Sequence, residues 1–409
     1  AVSCLWVLRA MVKPPNRFVV GAGAVGLATA WRVQGRFPGA SVTVVEKEDG
    51  VARHQTGNNS GVLHCGLAYR PGTAKARLAV RGIAQMVAFC EEHGVAHEVC
   101  GKLVVAAREE QAGRLEALRE RGTQNGLKGL RLLGPEEMRE REPHVGGVRA
   151  LLVPGEGIVD YEKVCETLAG LIEKQGGRVV FRAGVRAFRR DGAGWRVETR
   201  GGDFGADVLI TCGGLQADRL ARMAGERPAV SIVPFRGDYY KLRAGSEGLV
   251  RHLIYPVADP QFPFLGVHFT RMVRGGIECG PNAVLALKRE GYTRTALDVR
   301  DAAAALGFPG LWRFVGRHAR MCASELRRAF SARLFCEALR TLVPEIQESD
   351  IEPAGAGVRA QAMRADGHLV EDFDVIERAN AIHVLNAPSP AATACLAIGE
   401  EIAARVQEQ

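Results

Sequence analysis

The sequence predicts an α/β chain in two interleaved units. One is a discontinuous, Rossmann-like dinucleotide-binding domain; the other is an α+β substrate domain built on an antiparallel sheet that carries an inserted helical segment. Three observations predict this. The run Phe18-Val-Val-Gly-Ala-Gly-Ala-Val-Gly26 has the spacing of a dinucleotide turn. Two later apolar runs, Asp207-Val-Leu-Ile-Thr-Cys-Gly-Gly214 and Ile382-His-Val-Leu-Asn386, read as further strands of the same domain. Between them, residues 230–270 alternate aromatic and β-branched residues around Pro-rich turns, the pattern of an antiparallel sheet.

Taken in order, residues 1–16 are set aside as an N-terminal extension. Their apolar stretch Val2–Leu8 is too short to span a membrane, and it reads either as a targeting remnant or as sequence upstream of a true start at Met11. A short strand, Phe18–Val20, leads into the glycines. Gly21 permits the tight turn, Gly23 lets backbone amides approach a pyrophosphate, and Gly26 lets the next helix, Ala24 to Gln34, sit close to the sheet with its positive end on the phosphates. The strand Ser41–Val45 ends at Glu46, 20 residues beyond Gly26, where a carboxylate can accept hydrogen bonds from a ribose. The polar, glycine-rich loop Arg53–Gly66 is too long for a tight turn and reads as wrapping a ligand. Thr56, Asn59 and Ser60 supply donors there, and Gly57 and Gly61 supply bare backbone. His64, beside Val62 and Leu63, faces the ligand or is a satisfied core residue.

A helix over Ala74–His93 closes at Gly94. A first excursion follows: a strand over Val99–Ala106, a charged helix over Glu109–Gln124, and Gly134–Met138 turning into a helix. Asp160 caps a helix that stops at Gly176-Gly177, and Arg178–Arg182 enters a hairpin spanning Val185–Thr199. Residues 230–270 form a roof over a pocket, 296–343 are helical, and Glu352–Gln361 begin a return. After the strand at 382–386 a turn leads into a helix from Ala391 to Val406. The dinucleotide domain therefore takes residues 17–95, 155–230 and 350–409, and the substrate domain takes 96–154 and 231–349.

With 409 residues, 24% charged and 47% hydrophobic, the chain has the composition of a globular enzyme, and no apolar run approaches the roughly 20 residues of a spanning helix. Ten scattered cysteines show no metal-ligand spacing, so no metal is expected and a reducing compartment fits. The net charge of +8 is concentrated at Arg313, Arg317, Arg320, Arg327, Arg328, Arg333 and Arg340, set against only Glu325 and Glu337. Aromatic residues do not interleave with these arginines as they would in a single-strand binder, which argues against nucleic acid. A solvated helical face and a surface for peripheral docking on an anionic membrane remain as readings.

Two segments could carry chemistry. In Asn386-Ala-Pro-Ser-Pro-Ala-Ala-Thr393 the prolines fix the backbone, while small Ala387, Ser389, Ala391 and Ala392 let a flat ring approach a helix N-terminus; the plainer reading is a helix-capping turn. In the roof, Arg236, Tyr239, Tyr255, His268 and Arg271 fall on adjacent strands, with His268 sharing a face with Phe262 or Phe264. His268 serves as a proton acceptor or as a histidine bonded on a sheet face. Lys288 and Arg359 are further cations that could clamp a dicarboxylate.

These strings resemble the FAD-dependent D-amino-acid-oxidase-like superfamily, and within it the L-2-hydroxyglutarate dehydrogenase/oxidase family. The matching strings are Thr56–His64, Cys100–Val105, Phe235–Tyr240, Phe262–Thr270, Gly280–Tyr292, Gly357–Gln361 and Asn386–Thr393. Departures are the short first strand, Ala24 where Ile is commoner, and the unusual N-terminus. The resemblance implies FAD and a small dicarboxylate substrate, L-2-hydroxyglutarate, oxidised to 2-oxoglutarate by hydride transfer from C2 to flavin N5. Electrons would pass on to a quinone, an electron-transfer flavoprotein or oxygen.

It also implies roles. His268 or His64 is the base, and Arg359 and Lys288 hold carboxylates with help from Tyr255 or Arg271. Gly21, Gly23, Gly26, Glu46, Lys47, Thr56, Ser60, Gly61, Val185 and Gly213 hold the adenine, ribose and pyrophosphate. Gly357, Ala387 and Ser389 hold the flavin, whose reduced N1/O2 edge the helix dipole would stabilise. Ala24, Val25, Gly57, Asn59, Val62, Cys212 and Ala391 complete the cofactor set. Some relatives link flavin covalently through a histidine in the loop that carries His64. A superfamily oxidase of a secondary amine, an amino acid or glycerol 3-phosphate would share the cofactor strings, and a non-catalytic flavin-binding protein would share the fold. The expected location is cytoplasmic or peripheral on the inner membrane in a bacterium, and mitochondrial in a eukaryote.

Overall fold

The computed structural model describes residues 15–259 and 266–407. The expectations for Phe262 and Phe264, and nearly all of those for the N-terminal extension, lie outside the described residues. A six-stranded sheet runs in the order Asp374–Arg378, Ala381–Asn386, Val208–Thr211, Asn16–Val20, Ser41–Val45, Arg178–Val180, parallel except for the antiparallel pairing of its first two strands. Its inner strands are apolar nearly throughout because both faces are covered. Val19, Val42, Val44, Ile210 and Val384 pack against the helices Ala24–Arg36, Ala74–His93, Tyr161–Lys174 and Cys395–Arg405. Phe18, Val20, Val45 and Leu209 face the other way, onto Phe188, Trp195 and Val197 of a small antiparallel sheet over 185–206.

The first strand is two residues longer than the apolar run alone indicates. Asn16 N–H donates to Asp207 Oδ2 at 2.6 Å, which extends the pairing beyond Phe18. The small sheet likewise has a third strand, Gly202–Ala206, whose two glycines and Asp203 disguise it in the sequence.

A larger sheet places Val284–Leu285, Val230–Leu242, Ile277–Gly280, His268–Arg271, Leu253–Pro256, Lys102–Ala106, Arg149–Val153 and Arg131–Leu133 side by side. Two expectations are corrected here. Arg236 and Tyr239 are not on a strand adjacent to that of Tyr255, because 277–280 and 268–271 lie between them. Residues 352–361, read as a return to the dinucleotide domain, belong to the strand Ile351–Arg364, which pairs antiparallel with Val230–Leu242 along its length. Four short helices, Val299–Leu306, Pro309–Arg317, Ala319–Ala329 and Ala332–Leu339, form the arginine-rich insertion.

The last helix starts at Cys395 rather than Ala391, with tight turns over Pro388–Ala394 such as Ala394 N–H to the Pro390 carbonyl at 2.9 Å. The Thr393 hydroxyl, tied to the Val62 carbonyl, Tyr161 and the His64 amide, holds this stretch in turns, and helical bonding begins with the Ile398 N–H to the Ala394 carbonyl. The helix packs directly on Ala24–Arg36 through Gly399. A Cβ at Gly399 would lie 2.7 Å from the Ala28 carbonyl oxygen, a backbone atom that cannot swing aside. Gly399→Ala is expected to force the two helices apart and destabilise the protein by about 2 kcal/mol, read as a lower urea midpoint at unchanged m-value.

Candidate active site

A cavity of about 1580 Å³ opens between the two large sheets. That is larger than a single drug-sized ligand needs, and it suits a dinucleotide with a substrate beside it. At one end the glycine turn is built by contacts that only hydrogen atoms fit. Gly21 has φ +107°, in the left-handed region, and a Cβ there would lie 2.5 Å from the Cys212 carbonyl oxygen; one at Gly26 would lie 1.9 Å from that of Gly21. The Ala24 amide, at the helix N-terminus, donates to Thr56 Oγ1 at 3.1 Å, which ties the wrapping loop to the phosphate end. Glu46 is held by the amides of Ala22 (2.8 Å) and Glu48 (3.1 Å), so its position at the end of its strand is fixed.

Most of the residues anticipated for the cofactor line this cavity: Gly21, Gly23, Ala24, Val25, Gly26, Glu46, Lys47, Thr56, Asn59, Ser60, Val62, Val185, Cys212, Gly213, Gly357, Ala387, Ser389 and Ala391. Gly57 and Gly61 do not. Gly57 lets the loop pack on the Ala52 carbonyl, and Gly61 accepts from the Val159 amide at 2.8 Å. The Lys47 ammonium bonds Glu48, His54 (2.7 Å) and Glu290 (3.0 Å). Those three residues also form a group of possible metal ligands, and the ammonium takes up their free atoms.

At the other end the cavity wall carries His64, Lys102, Glu156, Tyr255, His268 and Arg359. Lys288 is absent from this wall, as are Arg236, ion-paired with Asp238 at 2.9 Å, and Arg271, paired with Glu98. Lys288 sits in a turn in which the Gly291 N–H donates to the Lys288 carbonyl at 3.2 Å, outside the cavity lining. Two residues missed from the sequence stand in the wall. Lys102 Nζ lies 2.5 Å from Glu156 Oε2, with side chains only 7% and 2% exposed, and 4.8 Å from the centre of the Tyr255 ring. A lysine opening the apolar run Leu103–Ala106 was the available signal, since a buried ammonium requires a partner. Burial works against the charge on Glu156, but Lys102 and then His64 outweigh it and hold the carboxyl well below the usual range.

His268 stacks on Tyr255 with ring centres 3.9 Å apart, and its Nδ1 lies 2.9 Å from the Gly266 carbonyl oxygen. A carbonyl only accepts, so Nδ1 carries the proton and Nε2 a lone pair. Burial pushes its pKa down to about 3, and the cationic neighbours Lys102 and Arg359 add to this. The Tyr255 hydroxyl is buried with no hydrogen-bond partner, although Thr270 and Ser60 stand close. Burial also lowers the pKa of Arg359, while Tyr239 and Tyr69 beside it act in the opposite sense.

Residues 18–405 match the family model of the FAD dependent oxidoreductases designated DAO. The chain belongs to this family. It is 48% identical to an L-2-hydroxyglutarate dehydrogenase of Indibacter alkaliphilus, over 93% of its own length and 96% of the relative's. It is 41% identical to the human mitochondrial L-2-hydroxyglutarate dehydrogenase over 96% and 88% of the two chains. Among solved structures it resembles the L-alpha-glycerophosphate oxidase of Mycoplasma pneumoniae with FAD bound (TM-score 0.78, 21% identity, 97% and 95% covered). It also resembles a glycine oxidase from Geobacillus kaustophilus (TM-score 0.73, 18% identity, 96% of each chain).

The residues present fit FAD, the cofactor of this family. The cradle has no room for Cβ atoms at Gly21 and Gly26, a helix N-terminus faces it, and Glu46 stands fixed where a ribose would lie. Among the described residues no helix is long and apolar enough to cross a membrane, and the nine cysteines described are all free thiols.

The low pKa of His268 has a measurable consequence for stability. Between pH 6.5 and about 3 the unfolded chain binds a proton at this histidine that the native protein refuses, so stability falls on acidification by up to about 1.4 kcal/mol per pH unit. Thermal melts of His268→Asn are expected to show a shallower loss of Tm between pH 6.5 and 4.5 than those of the unsubstituted protein; parallel curves would contradict the neutral assignment.

Proposed function

We propose that the protein oxidises L-2-hydroxyglutarate to 2-oxoglutarate. The observation that carries this reading is the agreement of bacterial and mammalian relatives over nearly the whole chain, against oxidases of glycerophosphate and glycine that share the fold at about a fifth identity. Bound FAD would supply the acceptor for the hydride leaving C2 of the substrate. Gly21, Gly23, Gly26, Thr56 and Glu46 would hold its nucleotide part, and Gly357, Ala387 and Ser389 its ring system.

The cavity wall supplies what a dicarboxylate needs. Arg359 holds one carboxylate, and Lys102, in place of the anticipated Lys288, stands where it can share its ammonium between Glu156 and the other. The Tyr255 hydroxyl, which lacks a partner in the protein, is a ready donor to the substrate. His64 and His268 are the two groups in the wall able to take the hydroxyl proton. Anaerobic titration of the purified holoenzyme with L-2-hydroxyglutarate is expected to bleach the flavin absorbance, and the D enantiomer to leave it unchanged. Bleaching by glycerol 3-phosphate or glycine instead would move the protein to another branch of the family.

A specific observation bears on where the electrons go. Among the described residues the large apolar side chains left exposed are concentrated on and beside the helical insertion: Leu297, Val299, Leu306, Trp312 (57% exposed), Leu326, Phe330 (72%) and Leu334. Arg313, Arg317, Arg320, Arg327 and Arg333 are exposed on the same helices. Aromatic and aliphatic side chains among arginines are the composition of an interfacial membrane-docking surface, which supports delivery of electrons to a membrane acceptor. Vesicles containing anionic lipid are expected to co-float the protein, and Trp312→Ser/Phe330→Ser to reduce the bound fraction at least about fivefold. Equal flotation of that variant would remove this face as the docking surface.

A further inference from the structure

The proposed oxidation requires a group that accepts the hydroxyl proton, and the two histidines of the cavity wall differ in what holds them. His268 is held by a neutral carbonyl, and the cations that act on it are Lys102 and Arg359, with the titratable His64 also facing it. His64 faces a carboxylate: its Nδ1 lies 3.5 Å from Glu156 Oε2. Glu156 is itself fixed on several sides. Lys102 Nζ bonds Oε2, and the amide and thiol of Cys65 lie 3.4 and 3.3 Å from Oε1.

The backbone of His64 is anchored as well, through its N–H to Thr393 Oγ1 at 3.2 Å. Thr393 is tied in turn to the Tyr161 hydroxyl at 2.5 Å. The other ionisable groups around this pair are Tyr69, Tyr161 and Tyr255, all of which feel the Glu156 charge, and His268. An ionised carboxylate only accepts hydrogen bonds, so His64 keeps its proton on Nδ1 and presents the lone pair of Nε2.

We propose that Glu156, pinned by Lys102, is a positioning residue that fixes the tautomer and orientation of His64, and that His64 rather than His268 is the base of the reaction. The substrate O–H bond would break with its proton passing to His64 Nε2 and its electron pair forming the second C–O bond, while bound FAD would supply the two-electron oxidant that takes the hydride from C2. The imidazolium that results faces an anion already in place. At His268 the same proton would be added among cations.

This inference rests on the substrate reading above, which is tested first and separately by whether L-2-hydroxyglutarate bleaches the unsubstituted holoenzyme. Given that it does, anaerobic stopped-flow reduction of His64→Asn and of Glu156→Gln is expected to be slower by about 100-fold or more, with His268→Asn slower by about tenfold at most. The double variant is expected to be no slower than His64→Asn alone, because the two residues act as one unit.

Titration with 2-oxoglutarate, followed by the perturbation of the flavin spectrum, is expected to give a Kd within about threefold of the original in each variant, which separates loss of positioning from loss of the site. In ¹⁵N-histidine spectra the Nδ1–H signal that disappears in His64→Asn is expected to become a mixture of tautomers in Glu156→Gln. A larger loss from His268→Asn than from His64→Asn, multiplicative effects in the double variant, or an unchanged tautomer signal would each overturn the proposal. If Glu156→Gln fails to fold because Lys102 is left unpaired, the two histidine variants decide the matter alone.

Discussion

A cavity large enough for a dinucleotide must be kept open inside a protein whose every buried amide still needs a partner. The long antiparallel pair Val230–Leu242 and Ile351–Arg364 meets both demands. It crosses from the dinucleotide unit to the roof as one hydrogen-bonded ribbon, and at its middle Gly237 faces Gly357 across the ladder. Neither position tolerates a side chain. A Cβ at Gly357 would lie 2.5 Å from the Asn58 carbonyl oxygen in the wrapping loop, and one at Gly237 would lie 2.5 Å from Pro281. The ribbon thus brings the loop that surrounds the cofactor and the turn that closes the roof onto itself, and two positions further along it sets Arg359 into the wall.

Electrostatics in the wall follow from this enclosure. Lys102 and Glu156 are costly to bury singly and acceptable as a pair with additional hydrogen bonds. Their mutual attraction keeps Glu156 ionised against burial, which leaves an anion deep in a chamber otherwise rich in cations. That asymmetry distinguishes two histidines which, seen in sequence, differ only in their apolar neighbours. The same enclosure withholds a proton from His268 and a partner from the Tyr255 hydroxyl.

What the sequence made legible was local. Gly26 against Gly21, and Glu46 against the Ala22 and Glu48 amides, work through contacts within about one βαβ unit, and the helices Ala74–His93 and Glu109–Gln124 carry their own stop and start signals, so all of these could be read residue by residue. Features that depend on distant partners could not. Lys102 and Glu156 are 54 residues apart and meet only because Lys102–Ala106 joins the roof sheet. Lys288 looked equivalent to any other cation in a glycine-flanked turn, and only the path of that turn excludes it from the wall. Glu352–Gln361 has the composition of either sheet, and its membership is decided by the unpaired length of Val230–Leu242.

The order of the central sheet sets how this molecule can be made. The neighbours of Asn16–Val20 include Val208–Thr211, and beyond that lies Ala381–Asn386; the helix resting on Ala24–Arg36 is Cys395–Arg405. The nascent chain on the ribosome therefore exposes an unfinished parallel sheet until the segment 381–405 emerges, a topology of high contact order with late closure. Neither unit can be excised as a contiguous fragment, and cofactor capture and completion of the fold become a single late event in synthesis.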